Sequence, residues 1–209
     1  MSKTGEKSFG KTDILIAGVG GQGTILTGRL LAALAISEGL DVKTAETHGM
    51  AQRGGSVITH ARLGDKVYSP LIPQGDGDIL LSFEKLEALR WLPFLSPQGT
   101  VIVNTQELSP MPVLTGQMDY PTGILEEIES KVRRLIAVDA LSLEPVRDNQ
   151  RVVNTFLLGI LARIMPVARE KWLKVMEETI KVKLVEINKQ SFEAGWQFAL
   201  EQERVSNGR

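Results

Sequence analysis

The chain has 209 residues, of which 43% are hydrophobic and 23% are charged, so it can bury a substantial core and falls within the size range of a single domain. Lysine and arginine total 24 against 25 acidic residues, and a net charge of -1 gives no general positive field for nucleic acid or an anionic membrane surface. The chain has no cysteine, which excludes disulfides, cysteine nucleophiles and thiolate-bound iron–sulfur clusters from this polypeptide.

The first twelve residues are polar and lack the apolar core of a signal peptide. No later apolar run approaches the roughly 20 residues that span a bilayer. We therefore expect a cytoplasmic protein with one domain over residues 1–209, a core at about 12–200, and no nucleic-acid or membrane partner.

A strand, a glycine turn and a helix open the predicted fold. Residues 13–17 form a short apolar run typical of a strand buried on both faces, and glycines dominate 18–23. Apolar residues then recur at helical spacing over 24–38. Residues 41–46 alternate like a second strand, which predicts a right-handed βαβ unit.

The alternation of strands and helices continues to the end of the chain. The predicted elements are a strand at 56–62 with a hairpin partner at 67–69, strands at 78–82, 100–104 and 135–139, and helices at 85–92, 149–165, 169–179 and 182–203. Prolines and glycines in 105–123 predict a surface excursion, with at most one irregular strand, of the kind that often contacts partners. The pattern predicts an α/β fold with a mostly parallel sheet in a Rossmann-like three-layer domain and a helical C-terminal segment.

The glycine turn fits the pattern G-x-G-x-x-G between a strand and a helix, through Gly18, Gly20 and Gly23. Glu46 lies near the end of the second strand, where a ribose-binding acid would stand in a dinucleotide fold. A tight turn that only packs closely needs the same glycines, so both interpretations remain open.

A second motif imitates a thiamine diphosphate and magnesium site. Gly75-Asp76-Gly77 is followed 27 residues later by Asn104. In such a site the aspartate follows a buried strand, whereas here the strand follows the motif, and we do not expect diphosphate binding there.

The segment 46–56 predicts a polar, glycine-rich loop between two strands, at the sheet edge that ligands favour. Arg53 has the geometry to hold a carboxylate or phosphate, and Gly54 and Gly55 let backbone donors approach the same anion. Bridging of loop carbonyls or of a neighbouring subunit is the alternative role for Arg53. His48 is either a proton carrier, a partner contact or a hydrogen-bonded structural residue.

Together, GVGGQG at 18–23 and HGMAQRGG at 48–55 resemble the paired signatures of the gamma-type domain of 2-oxoacid:ferredoxin oxidoreductases. The resemblance extends through DILLSFEKLEALRWLPFL and VIVNTQ to NTFLLGILARIM, over roughly residues 12–200. In size and in its MAQRGG form the chain is most similar to the stand-alone beta subunits of the indolepyruvate enzymes.

This resemblance implies a subunit that is inactive alone. A large alpha subunit would carry thiamine diphosphate, Mg²⁺ and the iron–sulfur clusters, and would decarboxylate indolepyruvate or other arylpyruvates to an acyl-coenzyme A while ferredoxin takes the electrons. This chain would bind no cofactor or metal alone, would have no catalytic residue of its own, and would form a homodimer when isolated. The resemblance places two loops on the coenzyme A side of the active site or at the subunit interface, with Arg53 as the expected anion contact: Gly18, Gly20, Gly21, Gln22, Gly23, His48, Gln52, Arg53, Gly54 and Gly55.

Two alternatives belong to other functional classes. One is a self-sufficient NAD(P)-binding Rossmann oxidoreductase that uses Gly18, Gly20, Gly23 and Glu46. The other is a scaffold in which both glycine loops only shape a protein interface.

Overall fold

The computed structural model describes residues 10–49 and 54–207, with side chains described up to residue 205. The strands are β1 (Thr12–Val19), β2 (Asp41–His48), β3 (Ser56–Gly64), β4 (Gly77–Ser82), β5 (Leu95–Asn104) and β6 (Arg134–Val138). The α-helices are α1 (Thr24–Ser37), α2 (Lys85–Trp91), α3 (Met111–Leu114), α4 (Ile124–Glu129), α5 (Val153–Ile164), α6 (Arg169–Thr179) and α7 (Val182–Asn207). Short 3₁₀ helices occupy Leu92–Phe94, Ala140–Ser142 and Gln150–Val152.

The strands form one sheet in the order β2-β3-β1-β4-β5-β6. Strands β1, β4, β5 and β6 run parallel, whereas β3 runs antiparallel to both of its neighbours, β1 and β2. The mostly parallel α/β sheet predicted from the sequence is confirmed. Because β3 is reversed, its first residues lie at the edge where the parallel strands end.

Helices cover both faces of the sheet, so the predicted three-layer arrangement is also confirmed. On one face α1, α5, α6 and α7 pack on alternate strand residues such as Ile14 and Ile16. On the other face α2 and α4 pack on the residues between them, such as Leu15 and Ala17. The near-continuous burial of β1 follows from this double cover, because parallel strands between two helical layers have no solvent face.

The predicted βαβ crossover from β1 through α1 to β2 is present, because both strands run antiparallel to β3 and therefore parallel to each other. These strands are not neighbours, because β3 lies between them and pairs with β2 without a break from Asp41 opposite Gly64 to His48 opposite Val57. The unit is therefore a helical crossover followed by an antiparallel hairpin.

The predicted hairpin between β3 and residues 67–69 is wrong. Both edges of β3 are already occupied by β1 and β2, which leaves no position for a third strand. The segment is held instead by side chains, since Asp41 accepts a hydrogen bond from the amide of Val67 at 2.9 Å. Arg62 donates to the carbonyl oxygens of Ser69 at 3.3 Å and Leu71 at 2.9 Å.

The helical C-terminal segment matches the prediction closely and packs through two glycines. A Cβ on Gly159 of α5 would lie 2.0 Å from the carbonyl oxygen of Phe192, and a Cβ on Gly195 of α7 would lie 1.9 Å from that of Phe156. The two backbones therefore touch at reciprocal positions. In the part of the chain that the structure describes, no helix is long and apolar enough to cross a membrane.

Candidate functional site

The glycine loop between β1 and α1 lies where the parallel strands end, and Gln22 fixes its shape. The Oε1 atom of Gln22 accepts a hydrogen bond from the amide of Val19 at 2.8 Å. Its Nε2 atom donates to the carbonyl oxygen of Phe83 and to Oε1 of Gln106, both at 3.1 Å. One side chain thus joins the ends of β1, β4 and β5.

Neighbouring side chains pack so closely against the loop that two of its positions require glycine. A Cβ on Gly18 would lie 3.0 Å from both Gln22 Oε1 and the ring of Phe83. Gly23 has a φ of +91° at the start of α1, and a Cβ there would lie 2.7 Å from Nδ2 of Asn154. The Oδ1 atom of Asn154 is buried and accepts no hydrogen bond from the described residues. The close-packing explanation of these glycines is therefore correct at Gly18 and Gly23, whatever the loop binds.

The two loops singled out in the sequence meet at this edge. The amide of Gly20 donates a hydrogen bond to the carbonyl oxygen of Gly55 at 2.9 Å. Within the second loop, the amide of Gly49 donates a hydrogen bond to the carbonyl oxygen of Ser56 at 3.0 Å. Gly54 adopts a φ of +80°, as a tight turn requires. Gln52 and Arg53 lie outside the described residues, between these fixed points.

Two clefts flank the glycine loop. The first cleft has a volume of about 440 Å³ and opens towards the ends of β5 and β6. The second cleft has a volume of about 380 Å³ and opens towards the β2–β3 hairpin. The residues lining the first are Gly21, Gln22, Gly23, Gln106, Leu108, Leu141, Gln150, Arg151 and Val153. Those lining the second are Gly20, Gly21, Gly23, Thr24, Ile25, Glu46, His48 and Val57.

Apart from Gln22, the polar lining of the first cleft was not among the residues predicted from the sequence. Gln106 follows β5, while Gln150 and Arg151 form the 3₁₀ turn that leads into α5. The exposed Arg151 is a cation in this cleft, whereas the sequence interpretation gave the cationic role to Arg53 alone. As Gln106 follows β5, Gln150 and Arg151 lie in the connection that follows β6. This position after successive parallel strands was the available signal, because the ends of such strands meet at one edge of the sheet.

The second cleft brings His48 and Glu46 beside the glycine loop. Both side chains are exposed, and Nδ1 of His48 lies 3.4 Å from the carbonyl oxygen of Gly49. In a dinucleotide fold the ribose-binding acid stands on the strand next to β1. Here Glu46 stands on the outermost strand, one strand further away, because β3 intervenes. The self-sufficient dinucleotide enzyme therefore gains no support from the fold.

The residues that imitate a thiamine diphosphate site do not fit that group. Asp76 lies just before β4 and Asn104 at the end of β5, so the two occupy opposite edges of the parallel sheet. Both polar atoms of the buried Asn104 side chain form hydrogen bonds within the fold, since Nδ2 donates to the carbonyl oxygen of Phe83 at 3.2 Å and Oδ1 accepts from the backbone amide of Ala140 at 3.1 Å. Within the described residues, no cluster of three or more His, Asp or Glu side chains is arranged to hold a metal ion.

The chain is similar to known oxidoreductases and their subunits over most of its length. Residues 13–198 match the family described as pyruvate ferredoxin/flavodoxin oxidoreductase. The chain is 38% identical over 194 residues to indolepyruvate oxidoreductase subunit IorB of Archaeoglobus fulgidus, with 91% of this chain and 96% of that protein covered. It is 37% identical to IorB of Pyrococcus horikoshii, with 90% and 96% covered.

Solved structures share the fold at lower identity. The pyruvate oxidoreductase subunit PORC of Thermotoga maritima superposes with a TM-score of 0.66 at 22% identity, covering 90% of this chain and 96% of that one. The 2-oxoglutarate:ferredoxin oxidoreductase of Magnetococcus marinus gives a TM-score of 0.68 at 20% identity, over 92% of this chain but only 31% of that longer chain.

Proposed function

Because the chain belongs to the pyruvate ferredoxin/flavodoxin oxidoreductase family, we propose that it is the small subunit of an indolepyruvate:ferredoxin oxidoreductase and turns over only in complex with a large subunit. Residues of about 12–200 act as a single gamma-type domain in this proposal. The observation that carries it is the contact between the two signature loops, through the Gly20–Gly55 hydrogen bond, at the edge where the parallel strands end.

The chemistry of this chain supports a division of labour between subunits. In such a complex thiamine diphosphate would supply the chemistry that decarboxylates an oxoacid, and iron–sulfur clusters would carry the electrons to ferredoxin. This chain has no cysteine to bind a cluster, and its Asp76 and Asn104 lie at opposite sheet edges. We assign thiamine diphosphate, Mg²⁺ and the clusters to the large subunit, with coenzyme A as a co-substrate of the complex.

The role of this chain is to wall one side of the active site. Gln22 holds the glycine loop rigid, and the Gly20–Gly55 hydrogen bond holds the second loop against it. Gly54 and Gly55 carry no side chain and would let backbone donors approach an anion held by Arg53. In this proposal Arg53 contacts an anionic group of coenzyme A, because guanidinium pairs with phosphate and carboxylate in a bidentate manner.

The test is reconstitution. We expect coenzyme A-dependent reduction of a dye by indolepyruvate when this chain is mixed with its large subunit, and none with either chain alone. Activity of this chain alone would contradict the proposal. NAD(H) binding by this chain alone would revive the dinucleotide interpretation.

The Arg53 assignment is tested in the same complex. We expect Arg53→Ala to raise the KM for coenzyme A by about ten-fold or more, the loss expected for one charge-assisted hydrogen-bonded contact. Arg133→Ala is the matched control, because Arg133 is exposed just before β6, at the opposite edge of the sheet. An unchanged KM for Arg53→Ala, with normal assembly, would assign the loop to the scaffold role instead.

A further inference from the structure

One buried carboxylate holds both ends of a surface segment, residues 108–120. The Oε1 atom of Glu84 accepts hydrogen bonds from the amide of Leu108 at 3.2 Å and from the hydroxyl of Tyr120 at 2.5 Å. Its Oε2 atom accepts from the amide of Glu87 at 2.8 Å, in the first turn of α2. Burial, followed by the hydrogen bond to Glu84, raises the pKa of Tyr120, so its hydroxyl stays a donor at neutral pH. The segment is therefore anchored to the end of β4.

The segment is also ordered internally. The amide of Thr115 donates to the carbonyl oxygen of Met111 at 2.9 Å, which closes the single turn of α3. Gly116, with a φ of +71°, reverses the chain, and the amide of Gln117 returns to the carbonyl oxygen of Pro112 at 2.8 Å. Hydrogen bonds and prolines thus fix the backbone of residues 109–119, none of which is buried.

The ordered segment presents its large apolar side chains to solvent. Met111 and Leu114 are each 67% exposed and Met118 is 55% exposed, while α3 buries no residue at all. The segment carries a single charged side chain, Asp119. Apolar side chains that are clustered and exposed on a fixed backbone are typical of a protein contact, and methionine adapts readily to the surface of a partner.

We propose that residues 108–120 are a preformed docking element for the large subunit, an inference that rests on the proposed function. The segment begins at the first cleft, whose wall includes Gln106 and Leu108, so a partner seated on it would reach the glycine loop. In the Magnetococcus marinus structure the same fold accounts for only 31% of a longer chain. A stable interface buries about 800 Å² on each side, more than three side chains provide, so the element is one contact of a larger surface. Its preformed backbone lowers the entropic cost of that contact.

The decisive experiment compares two triple variants in binding to the large subunit. Met111→Gln, Leu114→Gln and Met118→Gln together should raise the Kd of the complex by about ten-fold or more, because apolar anchors carry most of the affinity of an interface. The matched control replaces three exposed apolar residues of α7, namely Val182→Gln, Leu184→Gln and Val205→Gln, which are 91%, 44% and 58% exposed. The control should bind like the wild type.

The outcomes separate this inference from the proposed function. If wild-type chain and large subunit form an active complex but the docking variant binds with unchanged Kd, the inference is wrong and the proposed function stands. If the wild-type pair neither associates nor turns over, the proposed function fails first. Equal weakening by both triple variants, or loss only of self-association of the isolated chain, would also overturn the inference.

Hydrogen exchange on the wild-type complex gives a measurement that does not depend on any variant. Amides of residues 111–118 should exchange more slowly in the complex than in the isolated chain, and unchanged exchange there would contradict the docking role.

Discussion

Arg62 holds both a buried carboxylate and a loop at the edge where the parallel strands begin. It pairs with Asp13 through Nε at 2.9 Å and Nη2 at 3.0 Å, and Asp13 is buried. Lys11 Nζ also lies 3.0 Å from a carboxylate oxygen of Asp13, but Lys11 is exposed, so Arg62→Met would leave the buried carboxylate with weaker compensation and should lower the free energy of unfolding by about 2 kcal/mol. Urea denaturation measures this change.

Arg147→Met is the control for that prediction. The ion pairs of Arg147 with Glu144 and Asp148 are exposed to solvent, and pairs of this kind add little to stability. Equal losses in the two variants would show that the Asp13 pair adds nothing beyond a surface pair.

His60 should make the stability of the fold depend on pH. Its Nδ1 atom accepts a hydrogen bond from the backbone amide of Ile72 at 3.2 Å, and its ring packs edge-on against Trp91 and Phe94. Burial, followed by the charge of Arg62, lowers the pKa of His60 below its ordinary value of 6.5. The folded state therefore disfavours protonation of His60. The contribution of neutral His60 to the stability of the fold is complete above about pH 6.5 and is lost as the pH falls towards the lowered pKa.

The variant His60→Asn tests this pH dependence, because asparagine can still accept a hydrogen bond but does not titrate. Urea unfolding at pH 7.5 and 5.5 should show a larger loss for the wild type than for the variant. A difference of equal size in both proteins would assign the pH dependence to other groups.

At the scale of elements, α5 and α7 can approach only because glycines stand at their crossing. An alanine Cβ at residue 159 would lie 2.0 Å from a backbone oxygen, which cannot move without separating the helices. Gly159→Ala should therefore lower the free energy of unfolding by about 3 kcal/mol, at the upper end of overpacking costs, although alanine is the better helix former. Thermal and urea unfolding would both report it.

Gly28→Ala in α1 is the matched control. The nearest neighbour of a Cβ at that position is a side-chain methyl group of Thr59 at 3.0 Å, which can shift by a few tenths of an ångström. The gain in helix propensity of about 1 kcal/mol offsets that adjustment, so the stability should change little. If Gly28→Ala were as harmful as Gly159→Ala, the backbone contact would not be the cause.

The helices that follow β6 show which elements a sequence predicts well. Their apolar spacing and the break at Pro166 gave α6 its observed bounds, 169–179, and placed the start of α7 at residue 182. Periodicity and proline act locally, so no knowledge of distant partners is needed.

At the scale of the whole molecule, the order of strands depends on distant pairing. Alternation predicted β2 and β3 as strands, but residues 41–46 and 56–62 contain no local signal that β3 inserts beside β1. The same limit applies to the site. The signature loops were predicted to face each other and do meet, whereas Arg151 and Asn154 reach the site from the distant segment around the start of α5.

The reversed strand β3 also sets how this molecule can vary in length. β2 and β3 pair residue by residue, without a bulge, from Asp41 and Gly64 up to His48 and Val57. Insertions or deletions between residues 49 and 54 would therefore leave every strand pair in register, because the pairs of Ser56 with Val19 and of Val57 with His48 lie outside that span. A loop of another length at this point would reshape the wall it forms without refolding the sheet.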